Sequence, residues 1–351
     1  QLTPDFGFAA AERLVPHLAD VGVTHVYLSP VLRAAPGSRH GYDVVDPRHV
    51  DPDLGGDEAF DRLAAAAARG MGLVVDIVPN HMSADAAANP WWWDVLRNGD
   101  ASEHAHLFDI DPRHPEARLR GRIVLPVLDD RYGRVLDAGR LTIARDDGRI
   151  VALIDGDRPL PLSAATVGDL LGEVADGTGD DRVRVLADAL SHLDRVALSE
   201  RPSHQLALDR ALAAALSEPD TSVAVDAHLA ALSSVPDRVH EVLEAQHHRL
   251  AFWRSARDLG YRRFFDVNEL IGVREERPDV FSATHTAVAR WVVAGKVDGL
   301  RVDHPDGLFF GGGAGLLGDQ LVAAIATVAY SGAISYLLAL AIDKTIGLRV
   351  P

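Results

Sequence analysis

With 351 residues, 47% of them hydrophobic, the chain has material for one large domain or two ordinary ones with a sizeable core, which excludes global disorder. Its formal charge of -16, from 35 Lys and Arg against 51 Asp and Glu, opposes nucleic-acid and anionic-membrane partners and suits a neutral substrate. Without cysteine there is no disulfide framework, thiolate nucleophile or Cys-ligated metal; no cofactor is called for, and the oligomeric state stays open.

No basic segment followed by an apolar run opens the chain, so no signal peptide is expected, and Gln1 places the start inside a longer reading frame. Leu14, Val15, Leu18 and Val21 at helical spacing predict a helix over 8–21, with Pro16 either kinking it or marking its first turn. Thr24 to Leu28 reads as a buried strand. A long loop then runs from Ser29 to Leu54, where Pro36-Gly37-Ser38-Arg39-His40-Gly41-Tyr42-Asp43 is either a Gly/Pro surface loop or a set of groups suited to gripping a hydroxylated ligand.

Asp57 is expected to cap a second helix carrying Phe60, Leu63, Ala64 and Ala67 on one face, with Gly70 ending it. Leu73 to Val78 is the next strand and runs into Pro79-Asn80-His81. Two helix-then-strand units with polar residues past each strand predict a parallel α/β sheet with its site at the strand ends. Asp76 within an apolar strand needs a partner such as an Arg or a backbone amide, and its role is structural support. Asn80 and His81 stand at the mouth, better placed to touch substrate.

From Ser83 to about Val280 the pattern changes. Trp91-Trp92-Trp93 is either a sugar-stacking face or a core or lid cluster. Arg122 to Leu128 and Arg140 to Leu162 read as short strands with turns at Asp147-Gly148 and Asp155-Gly156, a small antiparallel piece. Asp181 to Leu259 has helical periodicity, and His247-His248, adjacent on a helix, point apart and make a poor metal pair. Tyr261 to Arg274 is polar and aromatic together, like a loop over a cleft. Ala287, Trp291 and Val292 mark a further helix, followed by a strand from Val297 to Val302.

That strand ends in Asp298-Gly299-Leu300-Arg301-Val302-Asp303-His304-Pro305, placing a carboxylate, a fixed cation and an imidazole at a strand's C-terminal mouth, where α/β barrels keep their chemistry. Asp303 is the candidate nucleophile. Arg301, two residues earlier, shares its face, an arrangement that also serves as a plain structural ion pair.

Asp76-Ile77-Val78-Pro79-Asn80-His81 and Gly299-Leu300-Arg301-Val302-Asp303-His304 resemble the first and second signature regions of the α-amylase family, glycoside hydrolase family 13. His40 to Pro47, Asn89 to Trp93 and Arg262 to Leu270 narrow the resemblance to the maltooligosyltrehalose synthase branch, from Gln1 to about Leu308. The resemblance implies a partial (β/α)8 TIM barrel of the α-amylase type: first βα units over 1–82, a large mixed insertion over 83–280, and the nucleophile-bearing strand over 281–308. It implies that Asp303 attacks the anomeric carbon at the reducing-end linkage of a maltooligosaccharide, with Arg301 keeping it ionised and oriented. His81 and His304 then hold sugar hydroxyls, Tyr42 stacks on the ring, and Asp76 with Asn80 braces the loop. The released glucose re-attacks through its 1-hydroxyl to give an α,α-1,1 bond, a cytoplasmic step of trehalose biosynthesis.

A retaining mechanism also needs a general acid, a Glu on the next barrel strand in this family. No Glu follows Glu276, and the acidic residues beyond Asp303 are Asp306, Asp319 and Asp343. The chain is therefore expected to be truncated and inactive. Leu321 to Ile342 is an uncharged apolar run long enough to span a bilayer, with Lys344 and Arg349 past its end. Residues 309–351 accordingly resemble the last transmembrane helix of an ammonium transporter, which makes the chain a chimera joined near Asp306-Gly307-Leu308, with membrane contact only through this tail. The alternatives are an α-glucan hydrolase of the same superfamily and a membrane-tethered, non-catalytic glucan-binding fragment.

Overall fold

The structure is a computed structural model that describes residues 1–111, 113, 119–255 and 259–304. Residues Gln1–Asp303 form one compact unit; of a second, His304–Pro351, only His304 is described, with a φ of +43°. The apolar run Leu321 to Ile342, and with it the transporter-like and chimera expectations, lies outside the described residues. Among the described residues no helix is long and apolar enough to cross a membrane.

Helix α1 (Phe8–Asp20) runs through Pro16 and packs by Phe8, Ala11, Val15 and Leu18, spaced for one helix face. Leu14 and Val21, expected on that stripe, fall to its flank and are exposed. Strand β1 (His25–Leu28) follows, buried only at Leu28, while His25 and Tyr27 are exposed, contrary to a strand buried throughout. The expected long loop is instead an antiparallel ribbon of β2 (Leu32–Ala34) and β3 (Val44–Val50), because Leu32, Ala34, Val44 and Val50 have core to bury. Helix α2 (Gly56–Ala67) is capped by Gly55 in a left-handed conformation, so Asp57 sits in the first turn without capping, where it pairs with Arg290 at 3.3 Å. The C-cap is Ala68 and not a glycine at 70.

Strand β4 (Gly72–Ile77) pairs in parallel with β1, Tyr27 facing Val74, and with the last strand of the unit, whose Arg301 faces Asp76. On one face of this three-stranded sheet Leu73, Val75 and Ile77 join Phe8, Phe60, Leu63, Val288 and Trp291 in a buried core. Alternation sends Tyr27, Asp76 and Arg301 to the other face.

Between β4 and that last strand the chain builds a second core. Strand β5 (His81–Ser83) leads to α3 (Pro90–Asn98), held at its start by Asn89 Oδ1 accepting from the Trp91 and Trp92 amides. Trp91 and Trp92 are buried and Trp93 lies under the Arg149 guanidinium, so the tryptophan run is core and not an open sugar platform. Strand β6 (Ile123–Leu128) precedes α4 (Tyr132–Asp137) and pairs in parallel with β10 (His248–Phe252), outside the antiparallel piece. That piece is a meander of β7 (Leu141–Asp146), β8 (Arg149–Ile154) and β9 (Arg158–Pro161). Positive φ at Asp147 and Gly148, and at Asp155 and Gly156, makes both Asp-Gly turns of the tight type that suits strand twist.

Helices α5 (Ala164–Thr178), α6 (Asp181–Ser191), α7 (Arg201–Ser217), α8 (Pro219–Ser233) and α9 (Pro236–Glu244) cover the meander. The helical pattern therefore stops before His247 and His248, which occupy a turn and the first residue of β10; among the described residues no His, Asp and Glu group is placed to hold a metal. Strands β11 (Arg263–Phe264) and β12 (Val267–Gly272) form a hairpin against β5, giving structure to the stretch expected as a loop. Helices α10 (Pro278–Thr284) and α11 (Thr286–Val293) then lead to β13 (Gly299–Val302), the last described strand of the parallel sheet, in which Leu300 and Val302 are exposed.

Candidate active site

The register that sets Arg301 beside Asp76 makes Asp76 the hub of the polar face. Its side chain is 0% exposed, so each oxygen needs donors. Arg301 Nη1 donates to Oδ1 at 3.0 Å and Oδ2 at 2.9 Å, and Oδ2 also accepts from the hydroxyls of Tyr42 at 2.7 Å and Tyr27 at 2.5 Å. Burial, reinforced by donation to Asp76, pushes both phenols above their usual range, so they stay protonated donors. The Asp76 bond, with help from Asp303, raises Arg301 further and fixes its charge.

Asp303 follows β13 and is held by its own amide donating to the Ile77 carbonyl at 2.9 Å. Its side chain is 8% exposed, and its Oδ1 accepts from the same Arg301 Nη1 at 2.5 Å. Its Oδ2 makes no hydrogen bond with any described residue. A carboxylate with one oxygen clamped by a guanidinium and the other without a partner among the described residues has the geometry of a nucleophile. Asp76, ringed by donors, has no such open oxygen.

His81 is buried: Nε2 lies 3.2 Å from the Tyr42 carbonyl, and its ring stacks on Phe264 of the β11–β12 hairpin at 4.1 Å. Asn80 is buried too, its Oδ1 accepting from Arg262 Nη1 at 2.8 Å and its carbonyl from the Val273 amide at 2.9 Å, while its Nδ2 has no partner among the described residues. His40 is exposed, and its Nδ1 accepts from the Tyr42 amide at 3.1 Å. Gly41 beside it has a φ of +77°, and a Cβ there would come within 2.6 Å of the Pro30 carbonyl oxygen, so the turn that presents Tyr42 needs glycine. Asp76, Arg301, Asp303 and Tyr42 are thus in one bonded cluster, with His81 and the exposed His40 each joined through the Tyr42 backbone, while Asn80 is tied to the hairpin.

Sequence reasoning missed Tyr27, Arg262 and Phe264 as members of this neighbourhood. Tyr27 reads as core within an apolar strand, and only the β1–β4 register brings it to Asp76. A cavity of about 750 Å³ lies elsewhere, among Asp85, Leu96, Leu128, Ile154, Asp157 and Trp253 of the insertion, and includes none of these side chains.

The fold is of the α-amylase type, and residues 11–119 match the α-amylase catalytic-domain family. More narrowly, the chain is homologous to maltooligosyl trehalose synthases: it is 39% identical over 305 residues to the putative enzyme of that name from Mycobacterium tuberculosis, covering 86% of this chain and 29% of that protein. The solved maltooligosyltrehalose synthase of Arthrobacter ramosus is 37% identical with a TM-score of 0.59, covering 88% of this chain and 30% of that one. An intracellular maltogenic amylase of Bacillus subtilis is 36% identical over 119 residues, 34% of this chain and 17% of that protein. The chain spans less than a third of the length of the synthases it matches.

Proposed function

We propose that this chain carries the nucleophile side of a glucosylmutase that converts the reducing-end α-1,4 bond of a maltooligosaccharide into an α,α-1,1 bond. The observation that carries the reading is the single Arg301 Nη1 bonded to both Asp76 and Asp303, with Asp303 Oδ2 making no hydrogen bond to any described residue. Asp303 Oδ2 forms a bond to the anomeric carbon as the bond from that carbon to the 4-oxygen of the terminal glucose breaks, and that oxygen takes a proton from a general acid. The same glucose then attacks the anomeric carbon through its 1-hydroxyl, whose proton returns to the deprotonated acid, as the bond to Asp303 breaks and the carboxylate is released. Tyr42 offers its ring to the sugar, His81 and His304 hold hydroxyls, and Asp76 with Asn80 braces the site. Residues 1–82 and 281–308 serve as barrel units, with 83–280 as an inserted subdomain.

The general acid is the Glu that the sequence lacks after Glu276. The 351-residue chain should therefore turn over nothing by itself. Incubation with maltopentaose, read as reducing ends, tests this: no change is expected, and a loss of reducing ends abolished by Asp303→Asn would show the chain to be a complete mutase. New reducing ends would favour the hydrolase reading, which the similarity to the maltogenic amylase supports. Residues 309–351 take no part in this chemistry; a sequencing read across the codons for Asp306 to Phe309 tests whether they are joined to it.

A further inference from the structure

We propose that Tyr27 is a positioning residue for Asp303, acting through Asp76 and Arg301, an inference that rests on Asp303 being the nucleophile. Two carboxylates compete for one guanidinium nitrogen: Nη1 of Arg301 lies 2.9 and 3.0 Å from the Asp76 oxygens and 2.5 Å from Asp303 Oδ1. How that nitrogen is shared depends on how much of the Asp76 charge other donors satisfy. Tyr27 supplies such a donor at 2.5 Å on Oδ2, beside the Tyr42 hydroxyl at 2.7 Å.

Burial does not account for Tyr27, since the residue is 51% exposed on the polar face of the sheet. What β1 delivers there is the hydroxyl, carried diagonally from the position facing Val74 to the Asp76 carboxylate two residues along β4. Among the described residues the charged and titratable groups on this face are Tyr27 from β1, with His25 two residues before it, Asp76 from β4, Arg301 and Asp303 from β13 and its end, and Tyr42 with its carbonyl bound to His81. Removing the Tyr27 hydroxyl returns charge to Asp76 Oδ2, draws Arg301 Nη1 toward it, and loosens its hold on Asp303.

The test is the carboxyl-carbon NMR signal of Asp303 in the 351-residue chain at a single neutral pH, assigned by Asp303→Asn and read as its chemical shift. Tyr27→Phe is expected to move that signal as Arg301 loosens its hold, with the thermal midpoint of unfolding little changed. Replacing Tyr27 by 3-fluorotyrosine, whose more acidic phenol donates more strongly, is expected to move the signal the other way; this second substitution keeps the ring and decides the matter if Tyr27→Phe fails to fold. An Asp303 signal unmoved by both substitutions, whatever happens to stability, would overturn the proposal and leave Tyr27 a structural contact. Covalent labelling of Asp303 by an activated glycosyl donor is a separate readout. A moved signal without labelling would refute the nucleophile while leaving the positioning intact.

Discussion

The parallel sheet and the inserted subdomain solve opposite problems. The insertion closes on itself: its meander and five long helices bury a continuous core around Trp92, Leu128, Leu171 and Val225, and its charges pair at the margin, as in Arg97 with Asp209 and Arg145 with Asp226. The sheet packs its core on one face, and on the other it keeps a buried carboxylate, a 46%-exposed arginine and a half-exposed tyrosine in one bonded cluster. Where side chains pack inside their own subdomain, substitution reports stability. Where polar groups share one nitrogen, substitution reports the chemistry of the site.

Substitutions can break that contrast. Trp92→Ala empties a 0%-exposed site and should cost about 4 kcal/mol in chemical denaturation while leaving the Asp303 carboxyl-carbon signal untouched. His248, fully buried with its Nδ1 facing the Leu96 carbonyl, is pushed down by burial to about 4. Because the folded value lies below the unfolded one, the unfolded chain binds more protons between the two. Stability should therefore fall by about 3 kcal/mol as the pH drops from 6.5 to 4, and His248→Phe should flatten that slope in denaturation curves.

In the sheet, Asp76→Asn leaves two phenols and a guanidinium without their anion. It should cost about 2 kcal/mol, discounted for the exposure of Arg301, and should move the Asp303 carboxyl-carbon signal as Trp92→Ala does not. Tyr42→Phe removes one of several donors and should cost about 1 kcal/mol by denaturation. If Tyr42→Phe costs more than Asp76→Asn, the hub is misplaced.

Both halves of the contrast were partly legible in the residues. The two helix-then-strand units that end in Thr24 to Leu28 and Leu73 to Val78 predicted a parallel sheet, and Asp76 announced its need for a partner, an arginine or a backbone amide. What the residues could not give was register: Arg301 meets Asp76, and Tyr27 reaches it, only because β1, β4 and β13 align at particular positions far apart in the chain. The insertion showed its Asp-Gly turns because two consecutive left-handed residues have a composition of their own. Its β6–β10 pair was illegible, since parallel pairing across more than a hundred residues leaves no local mark. The tryptophan run was ambiguous for another reason, because burial and sugar stacking call for the same side chains.

The most direct test of the nucleophile is the intact mass of the chain after incubation with α-maltotriosyl fluoride. Fluoride departs with little help from a general acid, so the missing Glu does not hide the first step. The account predicts a covalent maltotriosyl adduct that peptide mapping places on Asp303 and that Asp303→Asn abolishes. An adduct on another residue, or no adduct from a chain whose fold is verified, would contradict it.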